Sequence, residues 1–223
     1  VAIELRDVVF SYSTTPVIER FNAAIQAGRC TALVGANGAG KSTLMSLIAG
    51  LDCPSSGTVY LNEFSLRSLS TEYLARHYGY VPQDVFIFGD SFRMNITMGR
   101  DIPDDHIHST LAELGWEAFM SEWNHGLDAI ISENGRDLSG GQRQKIALLR
   151  ALVNQPPVLI LDEPENNLDK GSLENLVRYL DKLKGQCTVV LITHGNAFQN
   201  IIDATLDLSP PYRHDALSSG ASS

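Results

Sequence analysis

Residues Gly35-Ala-Asn-Gly-Ala-Gly40-Lys41-Ser42 fit the pattern G-x-x-x-x-G-K-[S/T], and no other feature restricts the possible folds as much. A loop of this kind wraps a polyphosphate with successive backbone N–H groups, so side chains must be missing where the backbone comes closest. Gly35, Gly38 and Gly40 meet that need, with Asn37 and Thr43 completing the phosphate-binding set. Lys41 is suited to reach the β- and γ-phosphates as a point charge, and the Ser42 hydroxyl to ligate Mg²⁺. Such a loop leaves a buried strand and enters a helix whose N-terminal dipole faces the anion. The apolar run Thr31–Val34 precedes it, and a helical pattern from Lys41 to Ala49, ended by Gly50, follows it.

Strands and helices alternate around this unit. Residues 1–27 read as short strands, with a turn cluster at Ser13–Pro16. Thr58–Leu61, Gly79–Val81, Val158–Leu161 and Thr188–Thr193 read as further strands; residues 70–78, Gly140–Val153 and Ser172–Leu183 read as helices. This alternation predicts an α/β core. From Phe86 to about Leu127 the texture shifts to aromatics, Met, His and helix formers, with helices expected at Ile107–Leu114 and Trp116–Trp123. The expected organisation is an N-terminal β part with the phosphate loop over residues 1–85 and an inserted helical subdomain over 86–155. The rest of the core follows over 156–208, and a small, polar, disordered tail over 209–223.

The run Val158-Leu-Ile-Leu-Asp162-Glu163 is a buried strand ending in two carboxylates. Standing alone before Pro164, the acid pair reads as a surface turn. In a chain that also carries a phosphate loop, Asp162 is placed to hold Mg²⁺ and Glu163 to orient or deprotonate an attacking water.

Composition narrows the partners. With 17 basic against 26 acidic side chains the formal net charge is -9, which argues against nucleic acid as a partner. No apolar run approaches the roughly 18 residues of a membrane span. Cys30, Cys53 and Cys187 are odd in number, widely spaced and without a CxxC, so reduced thiols in a cytosolic setting are expected rather than disulfides or a zinc site. The N-terminus alternates like a strand and has no basic leader. A chain beginning at Val1 is read as a piece of a longer polypeptide, or as a processed one.

Leu138-Ser-Gly-Gly-Gln142 stands immediately before the helix expected at Gly140–Val153. Ser139, Gly140 and Gly141 at a helix N-terminus form a second anion site. Together with the phosphate loop and the Asp162–Glu163 strand end, in this order, the motif resembles the signature of the ATP-binding cassette family. The resemblance extends over nearly all of residues 3–208. It implies a P-loop NTPase core with an antiparallel β subdomain and an inserted helical subdomain, working with ATP and Mg²⁺. It implies that Ser139, Gly140, Gly141 and Gln142 face the γ-phosphate bound on a second cassette, in a head-to-tail homodimer or heterodimer. Tyr12, in Phe-Ser-Tyr, resembles the aromatic residue that stacks on adenine, with an exposed strand tyrosine as the lesser alternative. Gln83, in Tyr-Val-Pro-Gln, resembles the glutamine that contacts Mg²⁺ and water. Asn166-Asn-Leu-Asp169 resembles the loop that crosses the dimer interface, and His194 the histidine that contacts the γ-phosphate. The implied catalytic set is Lys41, Gln83, Glu163 and His194; the implied metal ligands are Ser42, Gln83 and Asp162.

The segment after Gln83, Asp84-Val-Phe-Ile-Phe-Gly-Asp-Ser-Phe-Arg-Met-Asn-Ile96, and Ile131-Ser-Glu-Asn-Gly135 are similar to the exporter branch. Ser132 stands where exporters usually have Gly, Pro164-Glu-Asn where they usually have Ala-Thr-Ser, and the region after His194 is abbreviated. The branch implies ATP hydrolysis coupled to transport, at the cytoplasmic face of a membrane, with a transmembrane domain fused N-terminally. A stand-alone cassette ATPase and an inactive binding partner are the alternatives. One cassette without heptads and an acid excess weigh against the first; an intact Glu163 and Leu138–Gln142 weigh against the second. Val85, Phe86, Ile87 and Phe88 are either core or the lining of a groove for a membrane-domain helix.

Overall fold

The computed structural model describes residues 2–209 except Asn124. The tail expected to be disordered lies, beyond Ser209, outside the described residues. Two sheets organise the rest. The first is antiparallel, in the order β2 (Ile18–Ile25), β1 (Ile3–Phe10), β4 (Ser56–Leu61), β5 (Phe64–Ser65). The second is parallel and five-stranded, in the order β6 (Tyr78–Val81), β7 (Val158–Asp162), β8 (Thr188–Ile192), β3 (Cys30–Val34), β9 (Ala204–Asp207).

Every residue of β7 and β8 is buried, as expected of parallel strands covered on both faces. The two-residue side-chain period then sorts them into two cores. Val158, Ile160, Val190, Ile192 and Leu33 share one with Leu44, Leu47 and Ile48 of helix α1 (Lys41–Ile48) and with Ile3, Leu5 and Val8 of the antiparallel sheet. Leu159, Leu161, Val189 and Leu191 share the other with helices α6 (Gly140–Leu152) and α7 (Lys170–Lys182) and with the helical region.

A short helix, α2 (Thr71–His77), leads into β6, capped by Ser70, whose Oγ accepts the Tyr73 N–H. The helical region comprises α3 (Phe92–Thr97), α4 (Asp104–Glu113) and α5 (Glu117–Ser121), packed with α6. Phe92, Phe119 and Trp123 form its aromatic centre, with ring centroids 5.2–6.1 Å apart. Helix α3 was not expected from the sequence: six residues hold too few turns to display a period, and its sequence signal is the Ser91 cap on the Met94 N–H. Helix α4 begins at Asp104, three residues before the apolar periodicity, because Pro103 and two acids suit a helix start. Strand β9 is an edge strand with one half-buried side chain, Leu206, and so lacks a strand pattern.

The alternatives for Val85–Phe88 resolve residue by residue. Ile87 is 1% exposed and Val85 packs against the core, while Phe86 and Phe88 lie 54% and 38% exposed. Arg150 of α6 anchors the segment through the carbonyls of Phe86 (3.0 Å) and Asn95 (2.8 Å), and buried Asn95 Oδ1 accepts the Phe88 N–H. Among the described residues no helix is long and apolar enough to cross a membrane.

Helix α7 starts on Asp169, whose carboxylate accepts the Ser172 N–H (2.9 Å) and hydroxyl (2.6 Å) and lies 3.4 Å from Lys145. The Ser172 contacts hold the carboxyl down at about 2. A depressed carboxylate contributes stability above its unfolded value of about 3.9 and loses it as pH falls through the folded value. Asp169→Ala is therefore expected to cost about 1 kcal/mol in urea unfolding at neutral pH. The difference from the parent should shrink as the pH falls from about 4 toward 2.

Candidate active site

The strand order brings the C-terminal ends of β7, β8 and β3 side by side, and chemistry in open parallel sheets gathers at that edge. The loop after β3 holds Gly35, Gly38 and Gly40 at positive φ. Gly40 is doubly constrained: φ is 89°, and a Cβ there would lie 2.9 Å from Ile18 Cδ1 and 3.0 Å from Val17 Cγ1. As the N-cap of α1, Gly40 has no side chain to cap with, and the first turn contains no acid. The N–H groups that open the helix are thus left for an external anion. Lys41 folds back over the loop and donates to the carbonyls of Gly35 (2.9 Å) and Ala36 (3.1 Å).

A cavity of about 410 Å³ opens beside the loop. Asn37, Gly38, Gly40, Lys41, Ser42 and Thr43 line one side of it; Gln83, Glu163 and His194 line the other, with Val17 and Ile192 adding apolar wall. Asp162 ends β7 beside Ser42, whose hydroxyl favours its ionised form. Burial raises the Asp162 carboxyl above its ordinary value, and its Oδ1 is buried without a hydrogen-bond partner among the described residues.

Glu163 sits at φ 51°, in the left-handed region that a residue of this kind rarely occupies. Its N–H donates to the Ile192 carbonyl (2.9 Å), which extends the β7–β8 ladder one residue beyond the strands. The turn aims its carboxylate into the cavity, where Oε1 lies 2.8 Å from His194 Nε2. Oε2 accepts from Gln83 Nε2 (3.1 Å) and Asn166 Nδ2 (2.7 Å). A carboxylate so oriented beside a phosphate-sized anion site is arranged to take a proton from water.

Tyr12 does not line the cavity. It is 68% exposed, edge-on to Phe10 at 4.8 Å, with its hydroxyl 3.4 Å from Thr43 Oγ1, so it stands over the start of α1. Ser139, Gly140, Gly141 and Gln142 are also absent from the cavity lining. They open α6 with a capping box: Ser139 Oγ accepts the Gln142 N–H (3.1 Å), and Gln142 Oε1 accepts the Ser139 N–H (2.8 Å). A Cβ at Gly140 would lie 2.9 Å from Asn167 Oδ1, and one at Gly141 would lie 2.8 Å from the Asn167 carbonyl. The paired glycines therefore also admit the loop after β7, a packing role that the motif alone does not reveal. Asn166 and Glu165 are site residues that sequence reasoning missed as contacts. Their signal was the departure Pro164-Glu-Asn from the usual exporter triplet.

The family described as ABC transporter matches residues 18–166. The chain is 36% identical over 196 residues to "ABC transporter B family member 1" of Dictyostelium discoideum, covering 86% of this chain and 22% of that protein. It is 37% identical over 197 residues to an "ATP-dependent lipid A-core flippase" of Thiobacillus denitrificans, covering 86% and 34%. Among solved structures it resembles a bacterial Atm1-family ABC exporter with ATP bound, with a TM-score of 0.85 at 27% identity, over 92% of this chain and 36% of that one. The chain thus spans about a third or less of the length of these relatives.

Proposed function

The chain belongs to the ABC transporter family and forms its ATP-binding ATPase domain, and we propose that it drives an exporter by hydrolysing ATP between two cassettes joined head to tail. The observation that carries this reading is the cavity in which Lys41 and Ser42 face Glu163, Gln83 and His194. The names of these relatives, a transporter, a flippase and an exporter, support transport over a stand-alone ATPase.

The site fits Mg²⁺. Asp162 offers an unpaired buried carboxylate oxygen beside the Ser42 hydroxyl, and the Gln83 amide lies across the cavity. Among the described residues no cluster of three or more His, Cys, Asp or Glu forms a cage. A single carboxylate with hydroxyl and phosphate oxygens suits this hard, partly hydrated cation. Held by Ser42 and Asp162 with Gln83 opposite, it would supply positive charge that offsets the charge of the phosphate oxygens.

This chain's own groups do the rest. Lys41 exchanges the carbonyls of Gly35 and Ala36 for phosphate oxygens, and the N–H groups opening α1 hold the same anion. Glu163 exchanges its contact with His194 for the attacking water and accepts its proton, while Gln83 and Asn166 keep the carboxylate aimed. His194 is then free to donate toward the γ-phosphate. Ser139, Gly140 and Gly141 stand outside their own chain's cavity, which supports a role against the nucleotide of a second cassette. Tyr12 offers an exposed ring for adenine. The exposed rings of Phe86 and Phe88, anchored to α6 by Arg150, offer an apolar seat for a helix of the membrane domain at the cytoplasmic face. We propose residues 86–155 as the helical unit that carries this seat.

Steady-state phosphate release by the 223-residue chain tests the reading. The expected result is ATP hydrolysis that requires Mg²⁺ and rises more than linearly with protein concentration. A folded chain that binds ATP but turns none over at any concentration contradicts it.

A further inference from the structure

The triplet Pro164-Glu165-Asn166 departs from the usual exporter sequence, and the hydrolytic chemistry above leaves Glu165 unused. Its Oε1 accepts two hydrogen bonds from the segment that leaves β8: from the Thr193 hydroxyl (2.6 Å) and from the His194 N–H (2.7 Å). The β7–β8 ladder ends at Asp162 and Ile192, and the last backbone bond between the two chains is Glu163 N–H to Ile192 O. Beyond that point the two chains part, and one carboxylate oxygen takes over from the ladder.

The His194 imidazole needs such an anchor. Its side chain is 53% exposed, and its tether among the described residues is Nε2 at 2.8 Å from Glu163 Oε1. Next in the chain is Gly195, and among the described residues nothing lies within 4 Å of a Cβ there, so they do not pack the turn from that side. The loop that carries Glu165 is held in its turn, since buried Gln144 of α6 donates to the Pro164 carbonyl (3.2 Å). A threonine at position 165 would end two bonds short of Oε1 and could not reach the same donors. Bonds from N–H and O–H to a carboxylate are the stronger kind, which suits a single atom bearing two of them.

We infer that Glu165 is a positioning residue: it fixes the backbone of Thr193 and His194 so that the imidazole meets Glu163 and the γ-phosphate. The inference rests on the catalytic reading of Glu163 and His194, and it acts through His194 rather than on substrate.

The test compares Glu165→Ala, Glu165→Gln and Thr193→Val in the 223-residue chain. Two readouts are taken: hydrogen exchange at the His194 amide in nucleotide-free protein, and kcat and KM for MgATP. Loss of the acceptor in Glu165→Ala should speed His194 exchange by at least about tenfold, because the amide is then bonded only to water. The same variant should lower kcat by about 10- to 100-fold with KM within about threefold, as expected when a reacting group is misplaced. Glu165→Gln keeps an oxygen at the same reach and should restore most of both. Thr193→Val removes one of the two bonds and should shift both readouts in the same direction by less. Unchanged His194 exchange and kcat in Glu165→Ala overturn the inference. So does a Glu165→Gln variant as impaired as Glu165→Ala, since charge or packing would then be at work. Should Glu165→Ala not fold, Thr193→Val with no change in either readout overturns it equally. A wild-type chain without ATPase activity counts against the hydrolytic reading instead, while amide exchange still decides the role of Glu165.

Discussion

Glu163→Gln is expected to lower kcat for ATP by at least about 10²-fold, the usual scale for losing a general base, while nucleotide still binds. The substitution keeps shape and length. The amide oxygen can go on accepting from Gln83 and Asn166, so the cavity stays assembled. What it cannot do is accept a proton from water. In the proposed dimer, the binding energy that would draw two cassettes together then remains in place without the hydrolysis that would separate them. The variant should accumulate as an ATP-bound dimer on size exclusion in MgATP, where the parent should pass through that state only transiently. A Glu163→Gln chain with ordinary steady-state turnover, or one that stays monomeric in MgATP, speaks against the assignment.

Lys41→Ala has the second large effect. Lys41 is the cation that lines the cavity on the loop side, and it also closes the loop on itself through Gly35 and Ala36. Its removal takes a charge-assisted contact from the phosphates and leaves two loop carbonyls without their donor. Hydrogen bonds to charged groups contribute about 1.5–3 kcal/mol, so nucleotide affinity should fall by about 10- to 100-fold. Titration with a fluorescent ATP analogue reads this directly. The two variants separate by kind, one binding without turning over and the other binding weakly. An unchanged affinity in Lys41→Ala contradicts the loop's role.

The elements that build the site were the ones most legible in the sequence, because their physics is local. Val158–Leu161 and Thr188–Thr193 are short, wholly apolar or β-branched runs, and such runs in a parallel sheet read as buried strands. The glycine spacing of the phosphate loop carries its geometry with it. Helix α3 and strand β9 were not legible, the first for want of length, the second because an edge strand of Ala204-Thr-Leu-Asp207 has almost nothing to bury. The contacts of Glu163 were illegible for another reason. Its pairing with Gln83 spans 80 residues, and the bonds of Glu165 to Thr193 and His194 span 28 and 29. They exist because β6, β7 and β8 lie in register, which no local pattern states. Asp169 shows the converse. The motif resemblance gives it as the acid of a loop at a dimer interface; within the chain its carboxylate also caps α7, a role that the motif does not state.

The central claim is that each ATP is hydrolysed between the loop of one cassette and Ser139–Gln142 of another. Mixing two inactive variants tests it most directly. Lys41→Ala removes the loop function and Ser139→Arg fills the anion site at the start of α6, and each variant alone should be inactive. In a mixed head-to-tail dimer one site combines both defects and the other has neither. Random pairing makes half the dimers mixed, each with one intact site, so ATPase activity should return to about a quarter of the parent rate. No recovery on mixing, at protein concentrations where the parent is fully active, would contradict the account.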